Sequence, residues 1–325
     1  MNSRSFASKL GKAEKNIPHQ ITDLLGRKVY RIPNHPIAIL SNKIKEYFEI
    51  NEISKIKIPD EKFKLEDDFD PLVSTQQCFD DVLVPKDHIS RQPSDTYYHD
   101  EDTVLRPHTS AHQIQMIREG HNAFLVLGDV YRRDTIDRTH YPAFHQMEGV
   151  RIFNFDQIGA KDIHEAKQIA EIDLKQTLEG LSTHVFGDVE MRWVGENFPF
   201  TDPSFELEIF YQQDWMEILG CGVIHDQVMK NAGRDTQKEV GWAFGLGLDR
   251  WAMNLFQIHD IRLFWSKDDR FLNQFTEGEI THFKENSKFP SCFKDITFWT
   301  GEDYDENSFM ELIRDNSGDV VESVE

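Results

Sequence analysis

GDVYRRDTIDRTHYPAFHQMEG, residues 128–149, is the stretch on which the fold turns. It is entered through FLVLGDVYR, where Phe124, Val126 and Val130 alternate with other positions in a run rich in β-branched and aromatic residues, the pattern of a strand. A polar segment, 134–142, interrupts it, and AFHQMEGVRIF resumes the extended character. The pattern predicts a β-hairpin with a long tip. Arg132 and Arg133 fall where the first strand ends. Gln146 and Glu148 share one face of the second, because strand side chains two apart point the same way. A guanidinium offers a rigid fork of donors suited to phosphate oxygens, and a carboxylate beside an amide accepts from an ammonium. The hairpin therefore suits a phosphate held near an amine. A surface hairpin with solvated charges is the competing reading, and the arginine pair alone does not separate the two.

Working outward, 325 residues suffice for one large domain and a smaller one. A net charge of −21 argues against a generic nucleic-acid binder, while leaving room for a nucleic-acid substrate held by a local basic patch. No apolar run approaches the ~20 residues of a membrane span. Cys78, Cys221 and Cys292 are too widely spaced for a zinc site or a disulfide framework, which points to a reducing compartment. The opening MNSRSFASKLGKAEK sets Arg4, Lys9, Lys12 and Lys15 against Glu14 alone, the balance of an organelle transit peptide and equally of a solvated terminus.

Pro18, Pro33 and Pro36 exclude a continuous helix from residues 1–35, and Ile37, Leu40, Ile44 and Phe48 then mark an amphipathic helix. FDDVLVP (79–85) reads as a strand or a short helix. In VLRPHTSAHQIQMIREG (104–120), Thr109 or Ser110 is placed to cap a helix that Gly120 closes. His108, Ser110 and Gln113 would then gather at a helix N-terminus, where backbone amides favour an anion; a capped helix with a packed histidine is the plain alternative. Ile163, Ala166, Ala170, Leu174, Leu178 and Leu181 predict a long amphipathic helix ending near Gly187. Several strands follow, with Phe205, Leu207 and Ile209 alternating in one and Met216 and Ile218 in another. Phe198 and Phe200 lie on one face if extended, as pocket wall or as core. Glu217, inside apolar WMEILG, requires a partner from protein, metal or substrate. GWAFGLGLDRWAMNLF (241–256) is a strand running into a helix, with Gly245 and Gly247 allowing close approach of a ligand and Arg250 in the first turns. The glycine spacing matches neither a dinucleotide fold nor a phosphate loop with lysine and serine, so a mainly antiparallel sheet is expected to carry the phosphate grip. Beyond Lys284, KFPSCFKDITFW reads as a strand, DENSFMELIRDNSG as a helix and DVVESVE as the start of another strand.

Together these motifs resemble the class II aminoacyl-tRNA synthetases, and in particular the single-chain, organelle-type phenylalanyl-tRNA synthetases, from about Asn34 to the end. FDDVLVPKDHISR matches the family's first motif, GDVYRRDTIDRTHYPAFHQMEG its second and GWAFGLGLDRWAM its third, with LRPHTSAHQ, FPFTDPSFE and WMEILGCGV between them. The resemblance implies an α+β fold: an N-terminal extension (1–35), a catalytic domain of antiparallel sheet flanked by helices (36–283), and part of a ferredoxin-like anticodon-binding domain (284–325). It implies that Arg132 holds the α-phosphate of ATP and Arg250 the γ-phosphate, with Asp134, His140, Glu217 and Gly247 also near ATP. Substrate contacts would come from His108, Ser110, Ala111, His112, Gln113, Thr139, His140, Tyr141, Gln146, Met147, Glu148, Phe198, Phe200, Glu217, Ala243 and Phe244. Among these, Gln146 and Glu148 would receive the ammonium, and Phe198, Phe200, Ala243 and Phe244 would surround a phenyl ring. Mg²⁺ would arrive with ATP, near Glu217, rather than at a fixed protein site. The implied reaction joins L-phenylalanine to tRNA(Phe), by a monomer in the mitochondrial matrix; a cytoplasmic location is the alternative. A non-catalytic paralogue that binds amino acid or tRNA is the competing function, and retention of both phosphate arginines with Glu148 argues against it. An amide ligase on the same fold is a second competitor, opposed by the FPF segment and the C-terminal region.

Overall fold

The computed structural model describes residues 15–50, 53–285, 292–302 and 304–324, so the basic opening stretch lies, through residue 14, outside the described residues. The described chain forms strands β1 (Lys64–Glu66), β2 (Leu72–Ser74), β3 (Thr103–Leu105), β4 (Ala123–Tyr131), β5 (Ala143–Asn154), β6 (Met191–Glu196), β7 (Thr201–Tyr211), β8 (Asp214–Ile224) and β9 (Glu239–Gly247). Seven of these make one sheet in the order β1-β4-β5-β9-β8-β7-β6, and β2 pairs with β3 apart from it. Only the β1–β4 pair of the large sheet is parallel. The long-tipped hairpin expected over 128–149 is β4 with β5, Val126 lying opposite Glu148.

Longer helices are α1 (Pro36–Glu49), α2 (Ile163–Phe186), α3 (Leu248–Phe256) and α4 (Glu306–Ser317). Pro36 opens α1 at a position whose N–H would be unpaired in any case. Asp162 caps α2 by accepting from the Glu165 amide, and Gly187, at a φ of +81°, ends it. The apolar stripes of α1, α2 and α3 cover one face of the sheet, where Leu125, Met147, Phe153, Trp242, Phe244 and Leu246 are buried against them. Ile21, Leu24, Val29 and Tyr30 are buried in the same core. Alternation turns Gln146, Glu148, Ala243 and Gly245 to the opposite face. A smaller cluster of Phe124, Val126, Val150, Ile152 and Ala243 covers part of that face, packed by Ile114, Ile117 and Val228.

Several local expectations are corrected. In place of one capped helix over 111–120, a 3₁₀ turn (Thr109–His112) leads into a short helix (Gln113–Arg118), and neither Thr109 nor Ser110 caps either piece. The 79–85 stretch is neither strand nor regular α-helix. A π-turn (Gln76–Asp80) turns Phe79, Val82 and Val84 into a satellite core with Val73, Cys78, Tyr98 and Val104. Residues 292–302 form no strand, and Phe293, Ile296 and Trp299 are exposed. An extended segment needs a neighbouring strand to take its backbone hydrogen bonds, and none of the described residues pairs with it. The final stretch begins with a 3₁₀ turn (Gly318–Val320) instead of a strand. The helix expected between them is α4, and it docks on the main body: Tyr97 donates to Glu311 Oε2 at 2.8 Å, and Arg314 donates to the Thr135 carbonyl at 2.6 Å.

One buried ionic cluster ties the layers together. Arg151 of β5 donates to Glu61 Oε2 at 2.8 Å, to the Ile56 carbonyl at 3.0 Å and to Asp173 Oδ2 of α2 at 3.1 Å. Trp242 of β9 donates to the same Asp173 oxygen at 2.8 Å. Truncating the arginine leaves Asp173 charged, buried and short of a partner. Arg151→Ala is therefore expected to cost about 3–5 kcal/mol in denaturant unfolding; a loss below about 1 kcal/mol would show that the cluster does not hold the layers.

Candidate active site

Strand register lays one row across the open face. Glu148 of β5 lies opposite Gly245 of β9, Gly245 opposite Gly220 of β8, and Gly220 opposite Glu206 of β7. Two glycines thus separate two carboxylates, whose Cα atoms stand roughly 14 Å apart at ~4.8 Å per strand. Side chains at either glycine would fill this floor. A Cβ on Gly245 would sit 3.2 Å from Gln146 Nε2, and one on Gly220 would sit 2.8 Å from Phe198 Cζ. Above the floor lies a cleft of about 1260 Å³.

At one end, Glu148 is only 2 % exposed. Burial pushes its carboxyl up to about 7, against the lowering effect of the Ser110 and Thr109 hydroxyls. Thr109 Oγ1, expected as a cap, stands 3.5 Å from Glu148 Oε2, and the Thr109 amide donates to Gln146 Oε1 at 3.1 Å. That amide is therefore taken and does not await an anion. His108, beside them, is held neutral: burial and then the charge of Arg132 push its pKa to about 3. Its Nδ1 is buried with no hydrogen-bond partner among the described residues. An acid poised near neutrality and an orphaned imidazole nitrogen both suit a bound polar ligand, and the acid with Gln146 suits an ammonium.

Two arginines also line the cleft. Arg132 leaves β4 with its Nε donating to the Pro107 carbonyl at 2.8 Å and its guanidinium 5.1 Å from the Phe144 ring centroid. It lines the cleft and is exposed there. Arg250, in the first turn of α3, stands with Nη1 3.4 Å from Glu217 Oε2. Glu217 is not the buried carboxylate its apolar strand predicted. A register shift next to Leu207 leaves Ile218 and Leu219 both buried and turns Glu217 out into the cleft. Glu206, which the sequence reading missed, also lines the cleft, and its carboxyl is pushed up by burial and by the nearby charge of Glu217. The signal was present: the alternation that buries Leu207 and Ile209 puts Glu206 on the other face. Among the described residues no three metal-ligating side chains cluster. The two carboxylates are oxygen donors that fit Mg²⁺, which would take its other ligands from phosphate and water.

The cleft also has an apolar wall. Phe198 and Phe200 lie in a turn rather than in a strand, yet their rings are parallel, 6° apart in plane with centroids at 6.0 Å. Ala243 lines the cleft with them. The hairpin tip supplies the rim through Asp134, Thr139, His140 and Tyr141, and Gly247 lies at the sheet end. Five expected residues do not present their side chains here. Phe244 borders the cleft, but its ring stacks on Phe48 at 5.7 Å in the helical layer, and Met147 is buried in that layer too. Each is one residue out of phase with the open face. Ala111 packs in the satellite core, and His112 stacks on Phe69 at 4.3 Å with Nε2 2.8 Å from Arg106. Gln113 is buried behind the cleft with both amide atoms unpartnered among the described residues.

Residues 22–275 match the family model for the tRNA synthetases class II core domain (F). The chain is 53% identical over 310 residues to the chloroplastic/mitochondrial phenylalanine–tRNA ligase of Arabidopsis thaliana, covering 95% of this chain and 70% of that protein. The mitochondrial phenylalanine–tRNA ligase of Dictyostelium discoideum is 43% identical over 366 residues, covering 98% of this chain and 79% of that one. The chain belongs to the class II phenylalanyl-tRNA synthetases of the single-chain, mitochondrial type. Its fold is that of the class, as a crystal structure of pyrrolysyl-tRNA synthetase from Desulfitobacterium hafniense also indicates; the TM-score is 0.53 at 12% identity, over 73% of this chain and 75% of that chain. No helix of the described synthetase is long and apolar enough to cross a membrane.

Glu148 gives this synthetase a testable signature. A carboxyl whose folded pKa is raised keeps its stabilising protonated form at low pH and loses that stability as pH rises through about 7. Glu148→Gln imitates the protonated acid. The variant should match the wild type in unfolding free energy near pH 4, below the usual carboxyl range, and exceed it near pH 8 by an amount on the order of 3 kcal/mol. Equal stability differences at the two pH values would show that Glu148 does not titrate in this range.

Proposed function

We infer that the protein is a phenylalanine–tRNA ligase, activating L-phenylalanine with ATP and transferring it to the 3′ end of tRNA(Phe) for mitochondrial translation. One observation carries this reading: a buried ammonium acceptor, an aromatic wall and two arginines share one cleft. Glu148 and Gln146 receive the amino group. Phe198, Phe200 and Ala243 take the ring, and their apolar surface favours phenyl over polar side chains.

The amino acid carboxylate oxygen then attacks the α-phosphorus of ATP. The new P–O bond forms as the bond to the bridging oxygen breaks, and pyrophosphate leaves. Arg132 steadies the charge growing on the α-phosphate, and Arg250 grips the γ-phosphate, so positioning and electrostatics do most of the work. Glu206 and Glu217 would hold the Mg²⁺ that accompanies ATP, which supplies charge neutralisation on the phosphates. His140, its Nδ1 2.6 Å from Asp137 Oδ2, stands on the rim beside the incoming nucleotide. In the second step a terminal ribose hydroxyl of the tRNA attacks the carbonyl carbon and AMP departs. The names of the organellar relatives and the basic opening stretch favour the mitochondrial matrix. Burial of Phe79, Val82 and Val84 inside the chain's own satellite core leaves those residues unavailable to a subunit interface and favours a monomer.

ATP–pyrophosphate exchange with amino acids tested singly examines this reading, with phenylalanine expected to support exchange. Arg132→Ala should lower exchange by roughly 10²-fold or more with unchanged melting; activity within a few-fold of wild type would remove Arg132 from its role. Tyrosine should be activated at a rate about 10²-fold below phenylalanine, since an apolar pocket rejects an added hydroxyl only to that extent. Discrimination greater by several orders would place a polar, tyrosine-excluding group in the pocket.

A further inference from the structure

Behind the cleft, on the helical side of the sheet, lies a buried polar cluster that the proposed chemistry does not touch. His145 of β5 is fully buried. Its backbone amide donates to Asp249 Oδ2 at 2.6 Å, and its Nδ1 lies 3.1 Å from Asp249 Oδ1. On its other side Nε2 stands 3.6 Å from Asp129 Oδ1 of β4, and neither atom has a hydrogen-bond partner among the described residues. Trp265 stacks on the imidazole at 4.7 Å and Tyr30 meets it edge-on at 6.2 Å. Asp129 extends the cluster, its carbonyl accepting from Nε of buried Arg106 at 2.8 Å.

The two ends of this cluster abut the two phosphate arginines. Asp249 immediately precedes Arg250 in α3. Arg106 immediately precedes Pro107, whose carbonyl accepts from Arg132 Nε, and the Arg106 carbonyl accepts from the Tyr131 amide just before Arg132. Ionic groups in a core are poor stabilisers compared with apolar packing, and the rings of Trp265 and Tyr30 pack directly against the imidazole. What a charged, hydrogen-bonded anchor offers here is a fixed register between β4, β5 and the start of α3. Reactive groups must be held to roughly 0.5 Å. The arginines sit on different elements, which the sheet links by way of β5 and β9 and which this cluster links again behind it.

We propose that His145 is a positioning residue, which through Asp249 fixes Arg250 relative to Arg132 on the polyphosphate. This rests on the functional reading above. The asymmetry of the contacts assigns the work to Nδ1: Asp249 holds it at hydrogen-bond distance, whereas Asp129 does not reach Nε2.

The test measures phenylalanine-dependent exchange by the full chain while ATP and phenylalanine are varied separately. His145→Leu is expected to raise KM for ATP about tenfold while KM for phenylalanine stays within about twofold, as suits a lost alignment contact on one substrate only. His145→Asn, whose amide can replace Nδ1 as donor to Asp249, should restore KM for ATP to within about threefold of wild type. In an Arg250→Ala background, His145→Leu should add nothing to KM for ATP, because the group it positions is gone. If His145→Leu does not fold, Asp249→Ala removes the same link from the other side and should give the same split. An unchanged KM for ATP, equal rises in both KM values, or the same factor in both backgrounds would overturn the positioning role. A wild-type chain that exchanges pyrophosphate with no amino acid would overturn the functional reading itself.

Discussion

A carboxylate kept almost dry in the middle of a sheet, Glu148, is the constraint on which the other features depend. Ionising it in that position is unfavourable, and two hydroxyls only partly offset the burial. Such a residue can be placed reliably only on a strand paired on both sides, as β5 is between β4 and β9. The glycines at 245 and 220 then follow, because the row that holds the carboxylate must stay open to whatever neutralises it. Stability has to come from elsewhere. It comes from the opposite face, where three helices cover an apolar surface rich in aromatic side chains and Arg151 ties the layers together.

Much of this was legible from periodicity. The two-residue alternation of 124–130 and 143–153 gave the hairpin, and the three- and four-residue steps of 163–181 gave α2 together with its stop at Gly187. The shared face of Gln146 and Glu148 followed from the same rule. Alternation also shows why Met147 and Phe244 were misplaced: motif matching takes consecutive residues together, while a strand sends neighbours to opposite faces. Ile218 could not be read as a bulge, because a register shift depends on the partner strand and leaves no local mark. Ala111, His112 and Gln113 were misjudged for a similar reason. A 3₁₀ turn changes which side of a helix start faces the cleft, and no residue preference announces it. The pairing of His145 with Asp249, 104 positions apart in the chain, lies beyond any sequence pattern.

The hairpin tip presents the last problem, since an irregular segment beside a substrate cleft exposes backbone groups that need partners. Asp137 answers part of it internally, accepting from the amides of Thr139 at 2.6 Å and His140 at 2.8 Å. Distant segments supply more: the Ile261 amide donates to the Arg138 carbonyl, and the Val324 amide to that of Ile136. Arg314 of α4 donates to the carbonyls of both Asp134 and Thr135. The helix therefore docks by an arginine and a glutamate with Met310, not by an apolar stripe, and Leu312 stays exposed. That division has a physical logic. A tip that must admit a nucleotide and the end of a tRNA cannot be covered by a large apolar contact, because burying it would raise the cost of opening. Hydrogen bonds to backbone carbonyls order the loop and can be exchanged for water at small net cost. The rim is thus held by contacts of the kind that water can replace, while the floor beneath it is fixed by packing and buried ions that it cannot.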